Sequence, residues 1–200
     1  VTMVEKEYPQ FIPNLSTARS PHMMQGSLIK TYFAKKLGVH PSQMAVVSIM
    51  PCTAKKHEAK RPEFRHNDIP DVDHVLTVRE LGRILRFKKI AMGTIPESKY
   101  DAPMGLASGA GDIFGSTGGV MEAVARTAYE LSTGQRLGPM QLDMPALRGL
   151  KGIKEMAVTL KKADGTPAPV KLAVCNGIAN ARALLERIMN NEVNYSFIEV

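Results

Sequence analysis

The sequence contains few of the residue types that mark several specialised protein classes. Its 200 residues include two cysteines and no tryptophan, and aromatic residues make up 6%. Two cysteines cannot build a disulfide framework, and neither stands in the C-x-x-C or Cys/His spacing of a structural zinc site. By itself the chain therefore cannot supply the four thiolates that usually hold an iron–sulfur cluster.

Long apolar runs and terminal signals are also missing. The longest apolar stretches, of which Met44–Met50 is one, fall far short of the about 20 residues that span a bilayer. No charged segment followed by an apolar one opens the chain, as it would in a signal peptide. We therefore expect no membrane span and a cytoplasmic location, with the periplasm as the alternative.

The charge balance is moderately basic. Lysine and arginine number 26 against 19 acidic residues, which gives a formal net charge of +7. This excess suits an acidic partner. Nucleic acid is disfavoured as that partner, because the chain has few aromatic side chains to stack on bases and no aromatic-rich strand.

Both ends suggest that the chain is a segment of a longer protein. It begins at Val1 without methionine and stops within Phe197–Val200, a run typical of a strand entering a core.

Helix and strand patterns alternate along the chain, which predicts an α/β fold with some parallel strands. A helix is predicted over about Met23–Leu37, with Leu28 and Tyr32 on its apolar side and Gly38 closing it. The nearly continuous apolar run Met44–Met50, ended by Pro51, is typical of a strand buried on both faces of a parallel sheet.

The second half continues the alternation. The predicted elements are a short strand at 74–76, a helix after a capping box at Thr77–Glu80, a long loop at 93–111, a helix from 119 to about Gly134, a β-hairpin turning at 163–165, a helix from Gly177 and a strand at Phe197–Glu199.

The stretch Met50–Glu58 carries the clearest chemistry. It follows a predicted parallel strand, and open α/β sheets bind their ligands at the carboxyl ends of strands. Neighbouring cations at Lys55 and Lys56 favour the thiolate of Cys52, which is both the nucleophilic and the metal-binding form. Cys52 is therefore a candidate nucleophile or metal ligand; the alternative is a buried apolar thiol.

Two further stretches are less specific. The glycines of Phe114–Gly119 permit either close approach to a ligand or tight packing between a helix and a strand. Their spacing matches neither a phosphate loop nor a dinucleotide-binding motif. Asn14–Pro21 is a polar loop before a helix, for which ordinary capping is a sufficient explanation if it stands alone.

Taken together, these stretches resemble the iron-only (FeFe) hydrogenases. Met50–Glu58 resembles the second cysteine signature of that family, and Ile113–Ala123 resembles a further shared block. Other segments match in the family's order along the chain: Ser16–Pro21, Arg61–Glu63, Asp71–Asp73, Thr77–Leu81, Arg148–Glu155 and Phe197–Glu199.

The resemblance implies an α/β fold, part of a two-lobed catalytic domain with partly parallel sheets flanked by helices and a β-hairpin insertion. Residues 1–200 would be the central segment of that single domain, lacking its first and last cysteine signatures. The family's active-site H-cluster is a 4Fe-4S cubane joined to a two-iron unit with carbonyl and cyanide ligands. Its implied activity is reversible oxidation of dihydrogen and reduction of protons.

The resemblance also implies roles for individual residues. Cys52 would ligate the 4Fe-4S cubane, and the ammonium of Lys55 would donate to an iron-bound cyanide. Pro51 belongs to the same signature, and Glu58 would be a partner of the lysine-bearing loop. The remaining site positions are Met50 and Phe114, packed on the two-iron unit; Ser20, Pro21 and Gly115, on the pocket wall; and Ser16, in the proton relay. Cys175 matches no ligand and is expected to be a buried, inert thiol.

Partners and alternatives follow from the same resemblance. The expected partners are a redox protein such as ferredoxin or a cytochrome, maturation proteins that insert the two-iron unit, and the remainder of the catalytic domain. We expect the segment alone to be inactive. The alternatives are a hydrogen-sensing regulatory protein, a hydrogenase-like iron–sulfur assembly factor, and, for the isolated segment, an α/β interaction domain without metal.

Overall fold

A computed structural model describes residues 1–136 and 152–200 of the chain. These residues form two compact units, Val1–Gly105 and Leu106–Val200, each with a small hydrophobic cluster of its own. Of the predicted family match at Arg148–Glu155, residues 148–151 lie outside the described residues.

The first unit combines short helices with two small sheets. Its helices are α1 (Thr2–Glu7), α2 (Pro21–Leu28), α3 (Ala34–Leu37), α4 (Ala54–Glu58) and α5 (Val78–Phe87), with a π-helical turn at Ile29–Phe33 between α2 and α3. Short 3-10 turns lie at Pro9–Asn14, Pro41–Gln43 and Met92–Thr94. Its strands are β1 (Val47–Met50), β2 (Arg65–His66), β3 (Ile69–Pro70) and β4 (His74–Thr77).

Strands β1 and β4 pair in parallel, which confirms the predicted parallel arrangement. The strand starts at Val47 rather than at Met44, and side chains bind two of the backbone groups that precede it. The carbonyl of Met44 accepts a hydrogen bond from the buried Lys30 ammonium, and the amide of Val46 donates to Asp73 Oδ2 at 2.7 Å. Pro51, which has no N–H for a ladder, follows the last strand residue as predicted.

The prediction that this strand is buried on both faces is wrong within the first unit. Ser48 is buried, whereas Val47 and Ile49 on the opposite face are 49% and 45% exposed. Only one face of this two-stranded sheet packs on the unit's cluster, which is built on Met23, Val72 and Val75 and which Met50 also contacts.

The predicted helix over Met23–Leu37 is confirmed as a helical run that starts two residues earlier, with Pro21 in its first turn. It ends at Gly38, whose φ of +68° suits glycine. The predicted apolar side is wrong, because Leu28 and Tyr32 are largely exposed. The buried positions of the run are instead His22, Met23, Gly26, Lys30 and Ala34.

Burial of a lysine in this helix is possible because the ammonium of Lys30 is fully paired. Besides the carbonyl of Met44, it contacts the carbonyl of Pro41 at 3.3 Å and Asp73 Oδ2 at 2.8 Å. The long aliphatic stem is buried together with it, and the whole residue is 2% exposed.

The predicted capping box before α5 is confirmed. The amide of Glu80 donates to Thr77 Oγ1 at 3.2 Å, and the amide of Thr77 donates to Glu80 Oε2 at 2.7 Å. The stretch predicted as a long loop, 93–111, is exposed over nearly all of its length, with regular structure only at its two ends.

The second unit contains helices α6 (Gly109–Ile113), α7 (Gly119–Thr133) and α8 (Ile178–Met189) and strands β5 (Ile153–Lys161), β6 (Pro167–Cys175) and β7 (Phe197–Glu199). The sheet order is β5-β6-β7, with β6 antiparallel to β5 and parallel to β7. Residues 162–166 turn between β5 and β6, so the predicted hairpin is confirmed, as are the helix after Gly177 and the strand that follows it.

Helix α7 packs on the hairpin face. The buried cluster there is formed by Met121, Ala125, Met156, Val158, Leu172 and Val174. Glu199 on β7 accepts a hydrogen bond from the amide of Met121 at 2.5 Å, which ties the last strand to the first turn of α7. No helix within 1–136 or 152–200 has both the length and the apolarity needed to cross a membrane.

Candidate functional site

The segment from Met50 to Glu58 joins the carboxyl end of β1 to α4. Met50 is half-buried at the end of the strand, and the next two residues, Pro51 and Cys52, are exposed. The alternative that Cys52 is a buried apolar thiol is therefore wrong. An exposed thiol at this edge of a parallel sheet stands where ligands bind in open α/β folds.

Helix α4 carries the two lysines next to this thiol, and each of them meets a carboxylate. Lys55 Nζ donates to Glu58 Oε2 at 2.7 Å. Lys56 Nζ donates to both carboxylate oxygens of Glu80, at 2.8 and 2.7 Å. These bonds, together with the hydrogen bonds between Glu80 and Thr77, lower the pKa of Glu80 to about 2. The two cations are thus held on different sides, one by its own helix and the other by α5.

The carboxylate of Glu58 is shared. Its Oε2 lies 2.7 Å from Lys55 Nζ and 3.3 Å from His22 Nε2. Partial burial acts to raise the pKa of Glu58, but the Lys55 ammonium, the nearby Ser20 hydroxyl and His22 outweigh it and hold that pKa below its usual range. Glu58 is therefore an anion at neutral pH and accepts hydrogen bonds from both sides.

His22 is a site residue that the sequence analysis did not identify. Its side chain is only 4% exposed, and its Nδ1 lies 3.1 Å from Ser48 Oγ on β1. Its partners Ser48 and Glu58 are 26 and 36 positions away along the chain. Contacts at such separations cannot be predicted from local residue spacing. The one indication in the sequence is that His22 directly follows Ser20 and Pro21, the end of the segment that resembles the family.

The loop before α2 carries three of the predicted site residues. Ser16 is exposed and its Oγ accepts from the amide of Ala18 at 3.1 Å. Pro21 is exposed in the first turn of α2. Ser20 Oγ is fully buried near Glu58, where its hydroxyl helps to lower the pKa of that carboxyl, but the contact does not have the geometry of an ordinary hydrogen bond.

Arg19 anchors this loop to the rest of the first unit. Its guanidinium pairs with the fully buried carboxylate of Asp71 and lies over the ring of Phe64, 5.2 Å from its centroid. A charged and stacked arginine fixes the backbone on which Ser16 and Ser20 lie.

In the second unit, Phe114 and Gly115 lie in the turn between α6 and α7, and both are exposed, Phe114 by 41%. The glycines that follow are required by packing. A Cβ on Gly119 would lie 1.9 Å from the carbonyl oxygen of Ile113, and one on Gly118 would lie 3.2 Å from the Val174 side chain. The tight-packing explanation of this motif therefore holds for these two glycines, and Phe114 is left with an exposed aromatic ring.

The two cysteines have opposite environments. Cys175 is 1% exposed at the end of β6, and burial raises the pKa of its thiol. This confirms that it is a buried thiol, unsuited to metal binding. Within 1–136 and 152–200, no three His, Cys, Asp or Glu side chains gather as a metal site. Among these residues, Cys52 is the exposed thiol.

The described residues fit part of an H-cluster pocket in their chemistry. One exposed thiol is available as a cluster ligand, one ammonium is held by a single carboxylate, and one buried hydroxyl lacks a hydrogen bond. An ammonium in such a place suits an anionic ligand such as cyanide.

Comparisons with known proteins agree with the resemblance. Residues 1–200 match the family described as iron only hydrogenase large subunit, C-terminal domain. The chain is 44% identical over 186 residues to the NADP-reducing hydrogenase subunit HndD of Solidesulfovibrio fructosivorans, covering 93% of this chain and 31% of that protein. It is 42% identical over 195 residues to the periplasmic Fe hydrogenase large subunit of Nitratidesulfovibrio vulgaris, covering 98% of this chain and 45% of that protein.

A solved structure and a more distant relative extend the comparison. A variant of an FeFe hydrogenase from Chlamydomonas reinhardtii superposes with a TM-score of 0.85 at 39% identity, covering 99% of this chain and 56% of that one. The α/β fold expected from the resemblance is therefore confirmed. The cytosolic Fe-S cluster assembly factor narfl of Xenopus tropicalis is 31% identical over 206 residues, covering the whole chain and 42% of that protein. The chain thus spans less than half the length of each of these three curated relatives.

Proposed function

Because this chain belongs to the iron-only hydrogenase large subunit family through its C-terminal domain, we propose that its complete protein is an FeFe hydrogenase. The activity would be the reversible oxidation of dihydrogen to protons and electrons. The observation that carries the proposal is the exposed Cys52 thiol at the end of β1, followed by the Lys55 ammonium, which is held by Glu58. We also propose that residues 1–200 are the central segment of one catalytic domain.

The bound H-cluster would supply the redox chemistry, with its cubane passing electrons and its two-iron unit carrying the reaction of dihydrogen. Cys52 would ligate the cubane, and the rest of the catalytic domain would contribute the other three thiolates. Pro51 has no N–H for a strand ladder and lies between the end of β1 and this thiol.

Lys55 would hold the anionic ligands of the two-iron unit. Its Nζ has three donor hydrogens, and Glu58 Oε2 takes one of them, so further hydrogens remain for an iron-bound cyanide. Away from bulk water, a charge-assisted hydrogen bond of this kind is stronger than a neutral one. Lys55 would thereby fix the orientation of the unit.

The remaining residues would line the pocket and exclude water from it. Met50 and Phe114 would place apolar groups against the two-iron unit, and Pro21 and Gly115 would complete the wall. The unsatisfied hydroxyl of Ser20 would find a partner on the bound group. Ser16 accepts a hydrogen bond from the Ala18 amide and keeps its own proton to donate, which suits a step in a proton relay.

The partners follow from this activity. Electrons would pass to a redox protein such as ferredoxin or a cytochrome, and the basic excess of the chain suits an acidic one. Maturation proteins would insert the two-iron unit. The named relatives include a periplasmic and a cytosolic protein, and for this protein we propose the cytoplasm.

The test is to produce the full-length protein anaerobically with hydrogenase maturation proteins. We expect dihydrogen evolution from a reduced viologen dye and infrared bands of metal-bound carbonyl and cyanide. A protein that carries a complete 4Fe-4S cluster yet shows neither the bands nor gas evolution would overturn the proposal.

The second candidate is an iron–sulfur assembly factor, favoured by the 31% identity to narfl. It would carry iron–sulfur clusters without a two-iron unit, so the same infrared spectrum separates it from the hydrogenase. The intact block Ile113–Ala123 with the exposed ring of Phe114 favours the hydrogenase. A hydrogen-sensing regulator would show the infrared bands but very slow turnover.

A further inference from the structure

The buried imidazole of His22 connects three elements around Lys55. It lies in the first turn of α2, with Nδ1 3.1 Å from Ser48 Oγ on β1 and Nε2 3.3 Å from Glu58 Oε2 on α4. The same Glu58 oxygen accepts from Lys55 Nζ at 2.7 Å. Both ring nitrogens are therefore engaged, and one carboxylate oxygen separates the ring from the ammonium.

Hydrogen-bonding capacity determines where the protons lie. Glu58 is ionised and can only accept, so Nε2 of His22 must carry a proton and donate it. In the neutral ring Nδ1 is then an acceptor, and the hydroxyl of Ser48 is its donor. The chain of hydrogen bonds therefore runs from Ser48 to His22 and from His22 to Glu58, with each donor matched to one acceptor.

Burial is the main reason that the His22 ring stays neutral. Burial, together with the nearby Lys55 cation, lowers the pKa of His22 below its ordinary value, and the attraction of Glu58 opposes this only in part. Ser48, the contact from β1, is uncharged. Lys55 and Glu58 are the charged groups that act on the ring from α4, so at neutral pH one cation and one anion face a neutral imidazole.

We propose that His22 is a positioning residue, which holds Glu58 so that Glu58 directs the Lys55 ammonium toward the two-iron unit. This inference rests on the proposed function. Glu58 has several rotatable bonds and is only 20% exposed. His22 Nε2 is a second donor to the same Glu58 oxygen, and the imidazole itself is held by its place on α2 and by Ser48 on β1. The two donors together restrict the Glu58 side chain to one arrangement. Lys55 then meets its acceptor at a fixed point.

Two variants of the full-length protein separate hydrogen bonding from packing. His22→Leu fills the space but has no donor, whereas His22→Gln retains an N–H donor at similar reach. His74→Gln is the control, because His74 is an exposed histidine of β4 in the same unit. Each protein is loaded with the two-iron unit and examined by infrared spectroscopy, with the iron of the cubane quantified separately.

We expect His22→Leu to keep its cubane, to retain the two-iron unit about tenfold less well, and to show shifted cyanide bands. His22→Gln should restore most of the retention and the wild-type bands, and His74→Gln should match the wild type.

Three results would overturn the inference. Wild-type cyanide bands and retention in His22→Leu would show that His22 does not act on Lys55. Equal impairment of the Leu and Gln variants would show that ring packing matters and donation does not. A wild-type protein that shows no carbonyl or cyanide bands would instead remove the proposed function, and this inference with it.

Discussion

At the scale of single residues, exposure separates the two cysteines. Cys52 lies exposed after a strand end, and Cys175 is 1% exposed on β6. A metal ligand must reach the metal and lose its proton, and burial of Cys175 opposes both requirements. Among the described residues, Cys52 is therefore the only candidate for a thiolate ligand of the proposed site.

Replacement of Cys52 by serine tests this assignment. In the full-length protein we expect Cys52→Ser to abolish assembly of the 4Fe-4S cubane and all hydrogenase activity, because one of four thiolate ligands is lost. Iron content and electron paramagnetic resonance measure the cubane. The matched control is Cys175→Ala, which should retain its iron; full activity of Cys52→Ser would refute the ligand role.

The two adjacent lysines of α4 offer another matched pair. Lys55→Ala should leave the cubane in place but reduce the retained two-iron unit about tenfold, because the ammonium donor to cyanide is gone. Lys56→Ala removes only the pair with Glu80, both members of which are partly exposed, and should keep the unit. Infrared bands of carbonyl and cyanide give the result, and bands of wild-type intensity in Lys55→Ala would contradict the proposed role.

The buried histidine also makes the stability of the protein depend on pH. The pKa of His22 is lower in the folded state than its ordinary value of 6.5. Below pH 6.5 the imidazole is therefore protonated more readily in the unfolded chain than in the folded one. The contribution of His22 to the free energy of unfolding should be fully present above pH 6.5 and should decrease as the pH falls below that value. Urea unfolding of the cluster-free, full-length protein between pH 7.5 and about 5.5 measures the slope. The slope should be shallower in His22→Gln, and an equal slope in both proteins would contradict this account.

At the scale of elements, the turn that presents Cys52 is supported by its neighbours. Strand β1 is paired to β4, and β4 leads directly into α5 through the Thr77 cap. Glu80 of this cap also receives Lys56 from α4. The cap thus joins the helix after β4 to the helix that follows Cys52.

Removal of the cap gives the prediction at this scale. Thr77→Ala should lower the free energy of unfolding of the first unit by about 1 kcal/mol, since the Glu80 amide loses its acceptor. Thr77→Ser retains the hydroxyl and should lose much less. Hydrogen exchange of the α5 amides in the full-length protein compares the two, and equal protection in both variants would argue against the cap.

At the scale of the whole molecule, the chain carries only part of what the proposed reaction needs. It spans 31% and 45% of two hydrogenase relatives. Among the described residues, Cys52 is the only exposed cysteine. A cubane needs four ligands, so in the proposed hydrogenase the other thiolates would come from outside this chain.

The isolated 200-residue chain should therefore evolve no dihydrogen and hold no complete 4Fe-4S cluster. Anaerobic reconstitution with iron and sulfide, followed by incubation with the maturation proteins that insert the two-iron unit, prepares the sample, and iron quantification and gas chromatography give the result. The full-length protein reconstituted in parallel is the control. Catalytic gas evolution by the isolated chain would contradict our account of the site.

Local sequence patterns determined many of the helix and strand boundaries of this protein. Backbone chemistry and side-chain periodicity, which depend on residues close together in the sequence, explain four features. These are the end of β1 before Pro51, the Thr77 cap, the left-handed residue Gly38 after α3, and the hairpin. The residue types at 50–58 likewise indicate Cys52 as a candidate nucleophile or metal ligand, whereas the role of Lys55 follows only from the family resemblance.

Only the tertiary structure decided which side chains meet around Lys55. His22, Ser48 and Glu58 come from three elements, and their contacts span 26 and 36 positions. The burial of Lys30 and the exposure of Val47 and Ile49 likewise contradict the apolar pattern. Periodicity reports which faces are apolar, whereas pairing of distant polar groups depends on how the elements pack, and the local sequence does not encode that packing.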